Sequence, residues 1–255
     1  MIPESDCVIK VPTSSEACKV GKSVFKGKLQ QLNVLSESTI HFGVEVDNPD
    51  ALVFLPGQYV SVSIPDSNET RSYSFSSIPS ANQAEFVVRN IPNGKMSTFL
   101  SDTATIGQEI NFEGPFGSFY LRPLIRPTLF LAGGTGIAPF LSMLKSLEVS
   151  GAHHPVRMVY GVTNDFDLIE VEKLEEVKQN HPWFDYRTCV ATEDSQHERK
   201  GYVTGHVDNE WLNDGDVDVY LCGPLGMVDA VSNWLDSSNL KPSNFYYEKF
   251  TPSEQ

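Results

Sequence analysis

Cysteine is scarce in this chain, and its four residues are scattered. No two of them form a C-x-x-C pair, and the six histidines show no metal-ligand spacing. Zinc and iron–sulfur sites need several such ligands close together, so we expect no metal site built from this chain alone. Disulfide bonds are not expected either, because the thiols of cytosolic proteins are kept reduced. The cysteines are Cys7, Cys18, Cys189 and Cys222.

Long apolar runs are also absent. No stretch of the sequence approaches the roughly 20 apolar residues that a membrane-spanning helix needs. Residues 1–6 (MIPESD) lack the basic and apolar segments of a secretion signal. We therefore expect a cytoplasmic protein with no membrane partner.

Positive charge is in deficit. The chain has 19 lysines and arginines against 33 aspartates and glutamates, which gives a formal net charge of −14. This balance argues against nucleic acid as a partner, because binding to its phosphates depends on basic residues. The length of 255 residues and the hydrophobic content of 40% are sufficient for two domains, each with its own core.

The first half of the chain has the pattern of an all-β domain. Residues 1–22 are predicted to form an arm or linker with one short strand, Cys7–Val11. Short runs of alternating apolar and polar residues then follow, separated by Gly, Pro, Asn and Asp. This pattern, with one helix near 94–100, is typical of an antiparallel β-barrel. We assign residues 23–124 to this domain.

The spacing of the apolar residues changes at about Arg126. Strands now alternate with helical patterns, which predicts a doubly wound parallel sheet with helices on both faces for residues 125–255. Ligands bind to such sheets beyond the carboxyl ends of the strands. A final aromatic strand is expected at Phe245–Phe250. The other predicted strands are 128–133, 156–161, 184–191 and 217–222, and the predicted helices are 138–149, 168–180 and 224–237.

The first strand of this sheet leads into a glycine-rich turn, Gly133-Gly134-Thr135-Gly136. Glycines let the backbone approach a pyrophosphate, and the N–H groups at a helix start attract anions. Pro139 suits the first turn of the next helix, but it stands where a dehydrogenase fingerprint has its third glycine. No Gly-Lys-Ser/Thr of a P-loop follows. Taken alone, the turn indicates either phosphate binding or a plain strand-to-helix connection.

Two segments of the barrel combine residues suited to a flavin dinucleotide. In Arg71-Ser72-Tyr73-Ser74, the arginine can grip a phosphate and the tyrosine can lie against a heteroaromatic ring. Gly94-Lys95-Met96-Ser97 offers a second helix N-terminus for an anion. Singly, Arg71 could face solvent and Tyr73 could belong to the core. Followed by a nucleotide-binding domain, the two segments together favour FAD.

These motifs, in this order along nearly the whole chain, resemble the ferredoxin–NADP reductase superfamily. The match continues through Cys222-Gly223-Pro224 and the aromatic C-terminus. More narrowly, residues 114–121 and 196–206 are similar to the reductase component of benzoate and anthranilate 1,2-dioxygenases. The resemblance implies an enzyme, an NADH-dependent flavoprotein reductase. Such an enzyme takes a hydride from NADH onto FAD and passes single electrons to a [2Fe–2S] centre.

The resemblance also implies a role for each matching residue. Tyr73, Ser74, Cys222 and Glu248 would lie at the reacting rings, and Phe250 would approach the flavin from the C-terminal strand. Cys222 could instead be a small buried hydrophobe, and Glu248 a proton relay or a solvated edge charge. The residues implied for FAD are Arg71, Ser72, Tyr73, Ser74, Val88, Arg89, Gly94, Lys95, Met96 and Ser97. Those implied for NADH are Gly133, Thr135, Gly136, Pro139, Thr163, Cys222, Gly223, Pro224 and Met227.

One departure from the family concerns the electron acceptor. Reductases of this class usually begin with a [2Fe–2S] ferredoxin domain, whose C-x₄-C-x₂-C run is absent here. Residues 1–22 resemble the tail of that domain, so the chain is expected to be a truncated form or to work with a separate ferredoxin. The expected partners are this ferredoxin and a terminal aromatic-ring oxygenase. A free flavin reductase and a non-enzymatic binding module are the alternatives.

The turn after the third parallel strand predicts the choice of coenzyme. The 2′-phosphate of NADPH needs Arg or Lys nearby, whereas this turn offers Thr192, Glu193 and Asp194, which would repel it. Arg199 and Lys200 follow a few residues later and are the alternative phosphate ligands. We expect a higher kcat/KM for NADH than for NADPH in steady-state assays. A preference for NADPH would contradict this interpretation.

Overall fold

The computed structural model describes residues 23–48, 52–79, 83–238 and 240–250. The predicted arm, with its strand at Cys7–Val11, lies outside the described residues. Within the described ranges, no helix is long and apolar enough to cross a bilayer. The cytoplasmic location stays a prediction.

The first sheet is antiparallel and has six strands in the order β4-β3-β6-β1-β2-β5. A bridge between Phe75 and Phe86 joins its two edges, so the sheet curls into a barrel. This confirms the barrel that the alternating pattern predicts. The strands are β1 (Ser23–Ser36), β2 (Thr39–Val46), β3 (Tyr59–Ser63), β4 (Thr70–Ser74), β5 (Gln83–Arg89) and β6 (Glu109–Phe116).

Aromatic side chains fill the barrel. Phe54 and Phe75 stack with their ring centres 3.7 Å apart, and Phe42 packs against Phe86 at 4.9 Å. One short helix, α1 (Lys95–Thr98), continues into a wider turn at Phe99–Thr103. Met96, Phe99 and Leu100 of this segment are buried in the same core, so the helix closes one end of the barrel.

The second sheet is parallel and has five strands in the order β11-β10-β7-β8-β9. Separate apolar clusters cover its two faces, one with the helices α2 and α3 and the other with α4. This confirms the doubly wound prediction. The strands are β7 (Thr128–Gly133), β8 (Val156–Val162), β9 (Phe184–Val190), β10 (Asp218–Pro224) and β11 (Asn244–Phe250), and the helices are α2 (Ala138–Ser150), α3 (Val171–Asn180) and α4 (Leu225–Ser237).

The strand order of the parallel sheet reverses between β7 and β10. From β7 the chain moves to β8 on one side, and β10 later pairs with β7 on its other side. Such a reversal opens a crevice at the carboxyl ends of the two strands, where nucleotides bind. The change from antiparallel to parallel sheet falls between Phe116 and Thr128. The domain boundary at 124/125 lies in that interval and stays a prediction.

Candidate functional site

The glycine turn packs directly on the end of β10. A Cβ at position 136 would lie 2.4 Å from the carbonyl oxygen of Cys222, so Gly136 leaves no room for a side chain. Gly134 has a φ of +56°, a backbone conformation that glycine adopts without strain. Pro139 is buried near the start of α2, where its missing N–H leaves no bond unmade. The turn thus aims the start of α2 at the crevice between β7 and β10, which is suited to a phosphate.

Met227, from the first turn of α4, covers this turn. A Cβ at Gly133 would lie 2.4 Å from the Met227 sulfur, and one at Gly223 would lie 2.8 Å from it. The Cδ of Pro224 would be 3.1 Å from the same Cβ at Gly133. The structure therefore brings four of the residues predicted for NADH into one packed group.

Thr163 and Thr192 meet at the ends of β8 and β9. The Thr192 hydroxyl donates to the Thr163 carbonyl at 2.6 Å. The two cations of the coenzyme prediction are both bound within the chain. Lys200 donates to the Glu193 carbonyl at 2.9 Å, and Arg199 bonds to the carboxylate of Glu198. Both cations already have partners within the chain, so neither is left free to bind the 2′-phosphate of NADPH. This supports the choice of NADH.

In the barrel, two of the predicted FAD ligands share one carboxylate. Arg71 Nη2 lies 2.9 Å from Glu69 Oε2, and Lys95 Nζ bonds to the other oxygen, Glu69 Oε1. The ammonium of Lys95 and the guanidinium of Arg71 hold the pKa of Glu69 below its ordinary value. Both cations thus point to the same place, which a carboxylate now occupies. Arg71 and Lys95 are therefore suited to bind a pyrophosphate there. Sequence reasoning missed Glu69, although it lies only two positions before Arg71.

Tyr73 and Ser72 point to opposite sides of β4. The Tyr73 ring is partly buried and packs edge-on against Phe42, with ring centres 6.2 Å apart. Burial raises the pKa of its phenol well above the ordinary value, so the hydroxyl stays protonated. Ser72 is exposed. Tyr73 can therefore offer a ring surface to a flavin, whereas Ser72 can contribute through its backbone.

The segment after β5 is held by Ser97. Its hydroxyl accepts from the Ile91 N–H at 2.8 Å and donates to the Arg89 carbonyl at 3.4 Å. A Cβ at Gly94 would lie 3.0 Å from the Ile91 carbonyl, so this loop is tightly closed. Two further residues predicted for FAD, Val88 and Met96, are buried in the barrel core. Their side chains support the loop from the barrel core, so any contact of Met96 with FAD would be made through its backbone.

The two domains meet at Glu248 of β11. Ser74 Oγ donates to Glu248 Oε2 at 3.0 Å, and the Cys222 sulfur lies 4.0 Å from the same oxygen. Burial raises the pKa of Glu248 to about 7, and the hydrogen bond from Ser74 opposes this rise. Burial, followed by the charge of Glu248, raises the pKa of the Cys222 thiol well above its ordinary value. Glu248 is thus a partly buried carboxyl group that holds its proton to higher pH than usual, and Cys222 is a neutral thiol.

Phe250 is the last described residue of this strand and pairs with Pro224 at the end of β10. Its side chain is partly buried against the core of the parallel sheet. Gly117 lies on the other side of Glu248, where a Cβ would be 3.7 Å from Glu248 Oε1 and 3.0 Å from the Tyr59 ring. The carboxyl group is therefore enclosed by both domains.

Comparison with known proteins agrees with this geometry. Residues 26–120 match the oxidoreductase FAD-binding domain, and residues 130–233 match the oxidoreductase NAD-binding domain. The chain is 46% identical over 253 residues to the toluate 1,2-dioxygenase electron transfer component of Pseudomonas putida, covering 99% of this chain and 75% of that one. The chain belongs to the family of dioxygenase electron transfer components. It is a flavoprotein reductase that binds FAD and takes electrons from NADH.

Other relatives extend the comparison. The anthranilate 1,2-dioxygenase electron transfer component of Acinetobacter baylyi is 36% identical, over 94% of this chain and 71% of that one. The crystal structure of the Amycolatopsis cytochrome P450 reductase GcoB has a TM-score of 0.82 at 26% identity and covers 91% of this chain and 71% of that one. The two-domain fold is therefore shared with reductases that serve different oxygenases.

The raised pKa of Glu248 predicts how stability depends on pH. The folded protein holds this proton up to about pH 7, whereas the unfolded chain releases it near 4.5. Relative to Glu248→Gln, the wild-type protein should lose roughly 2–3 kcal/mol of stability as pH rises from 4.5 to about 8, with little further change above that. Urea unfolding of both proteins across this range measures the difference. The prediction would be wrong if the free energies of unfolding of the two proteins changed in parallel with pH.

The shared carboxylate predicts how Glu69 acts on FAD binding. A pyrophosphate competes with Glu69 for Arg71 and Lys95, so Glu69→Gln should tighten FAD binding, by roughly two- to tenfold for such partly exposed charges. Titration of the apoprotein with FAD, followed by flavin fluorescence, measures the Kd. Glu109→Gln is the matched control, because Glu109 pairs with Lys26 elsewhere on the barrel. Weaker binding by the Glu69 variant would show that Glu69 aligns the cations instead.

Proposed function

We propose that the chain passes electrons from NADH, through FAD, to a [2Fe–2S] centre that serves an aromatic-ring dioxygenase. The observation that carries this proposal is the contact of Ser74 with Glu248, which joins the flavin segment of the barrel to the NADH side of the parallel sheet. The names of the relatives support the oxygenase class, since they are components of toluate and anthranilate 1,2-dioxygenases.

The residues of the barrel hold FAD in this proposal. Arg71 and Lys95 bind the pyrophosphate, and their convergence on Glu69 supports this role. Tyr73 provides a rigid ring surface, because Phe42 fixes it from inside the barrel. When bound, FAD supplies the chemistry that accepts a hydride from the nicotinamide and releases two electrons singly.

The parallel sheet places NADH. The start of α2 binds its phosphates, and Gly136 keeps this turn against the end of β10. Cys222 is fully buried and neutral, so it lines the nicotinamide site as a small apolar wall. Since reacting atoms must come within about 3–3.5 Å, close packing of these residues is their contribution to the reaction.

Ser74 and Glu248 handle protons. Because the pKa of Glu248 is about 7, its carboxyl group exchanges a proton near neutral pH. Ser74 holds one oxygen in place, and Gly117 lies beside the other oxygen. The pair can therefore buffer charge beside the flavin segment.

The acceptor needs ligands that this sequence does not group together, since its four cysteines are scattered. In this proposal the [2Fe–2S] centre belongs to a ferredoxin domain or to a separate ferredoxin. A free flavin reductase is the competing function, and it would release reduced flavin rather than retain it.

The proposed function is tested by mixing the FAD-loaded protein with NADH without oxygen. Flavin absorbance should bleach, FAD should remain bound on gel filtration, and a plant-type ferredoxin should then be reduced. A yellow protein that NADH does not bleach would refute hydride transfer. Flavin that leaves the protein on reduction would favour the free flavin reductase.

Gly136→Ala is the matched variant for this experiment. Its Cβ would collide with the Cys222 carbonyl, so the NADH turn cannot close, while the barrel is untouched. We expect this variant to retain FAD and to bleach with dithionite, but to bleach at least about tenfold more slowly with NADH, as misplaced reactants do. If the variant bleached with NADH at the wild-type rate, the glycine turn would not be part of the NADH site.

A further inference from the structure

Helix α2 packs against its own sheet and also contacts the barrel. Nine of its thirteen residues are buried, although a helix on the surface of a sheet buries one face. Its first residues continue the glycine turn, so this helix carries the NADH phosphate site at one end. Its body therefore links that site to the other domain.

Two polar side chains on one face of α2 bind the barrel. Ser142 Oγ donates to the Ser77 carbonyl at 2.6 Å, and Ser142 is fully buried. One turn later, Lys145 Nζ lies 2.9 Å from Glu85 Oε2. Residues three apart on a helix share a face, so both bonds act at one surface. We call Ser77, Glu85, Ser142 and Lys145 the interdomain dock.

The barrel side of the dock belongs to the predicted FAD segments. Ser77 lies three positions after Ser74, the end of the Arg71–Ser74 segment, and Glu85 lies on β5, which continues to Val88 and Arg89. His41 lies on the other side of Glu85, with Nε2 3.9 Å from Oε2. Both the flavin segments and the NADH turn are therefore tied to the same four residues.

Apolar contacts complete the junction. Gly57 has a φ of +109°, and a Cβ there would lie 2.5 Å from the Met143 methyl group. Phe140 packs edge-on against Phe119 of the connecting segment, with ring centres 5.9 Å apart. Such surfaces exclude water but allow sliding, whereas the hydrogen bond and ion pair of the dock have a defined direction.

We propose that the interdomain dock sets the distance between the nicotinamide and flavin rings, with Lys145 as its main positioning residue. This inference rests on the proposed function, because it concerns how two separately held rings meet. The direct bond between the domains at Ser74 and Glu248 joins residues that are proposed to lie beside the rings, whereas the dock acts along the body of α2. Hydride transfer is sensitive to placement, and a shift of about 1 Å can change a rate a hundredfold.

Lys145→Met tests the proposal, because it keeps the length of the side chain and removes its charge. In anaerobic stopped-flow mixing with NADH, the limiting rate of flavin bleaching should fall roughly tenfold. The apparent Kd for NADH should change by less than about twofold, because Lys145 lies about two turns from the start of α2, where the phosphates are proposed to bind. The long-wavelength absorbance of the stacked NADH–flavin complex should weaken in parallel. Lys145→Arg should restore both signals, since it keeps the ion pair.

Lys178→Met is the matched control. Lys178 forms a comparable ion pair with Asp185, at 2.7 Å, within the parallel-sheet domain. An equal loss in this control, a wild-type rate in Lys145→Met, or a change confined to the Kd for NADH would each overturn the proposal. A wild-type protein that does not bleach would instead refute the proposed function.

A second measurement tests the dock without the reaction. Amide hydrogen exchange in α2 and in β5 should become faster in Lys145→Met and stay unchanged in Lys178→Met. Unchanged exchange at both elements would show that Lys145 does not hold the domains together, whatever the protein does with NADH.

Discussion

The close approach of the glycine turn to the end of β10 is the constraint on which the site depends. Backbone meets backbone there, since a Cβ at position 136 would be 2.4 Å from the Cys222 carbonyl. The same approach places Cys222 beside the start of α2 and leaves Glu248, paired with it on β11, within reach of the barrel. The packing of Gly136 against β10 therefore helps to position both the start of α2, where an anion can bind, and Glu248.

The enclosure of Glu248 follows from the meeting of the two domains. Glu248 lies near the end of β11, and residues of the barrel approach it there. Ser74 of the barrel supplies the hydrogen bond, and Gly117 lies beside the other carboxyl oxygen. Burial disfavours the ionised form, and one hydrogen bond offsets this only in part, which gives a pKa of about 7. The raised pKa of Glu248 is therefore a consequence of the contact between the two domains.

Much of the fold follows from the sequence, because strand and helix periods are local. The predicted strand 128–133 agrees with β7, but the predicted helix 168–180 begins at Val171, since Glu170 has a φ of +58°. Motif residues of the site were also accessible, because glycine turns and Arg-x-Tyr-Ser carry their chemistry within a few positions. Partners such as Glu85 and Lys145, 60 positions apart, have no local signal and were missed.

This protein is acidic but binds two molecules that carry phosphate groups. It therefore needs groups at the binding sites themselves that attract phosphate. Most of its net charge of −14 is spread over the surface, where salt screens interactions beyond about 8–10 Å. Arg71 and Lys95 act at bonding distance, and the N–H groups at the start of α2 add no net charge at all. Because both cations share the single carboxylate of Glu69, one of their two positive charges is already balanced within the chain. In the proposed FAD site, a pyrophosphate therefore takes the place of one carboxylate beside two cations, and this local exchange matters more for affinity than the total charge of the protein.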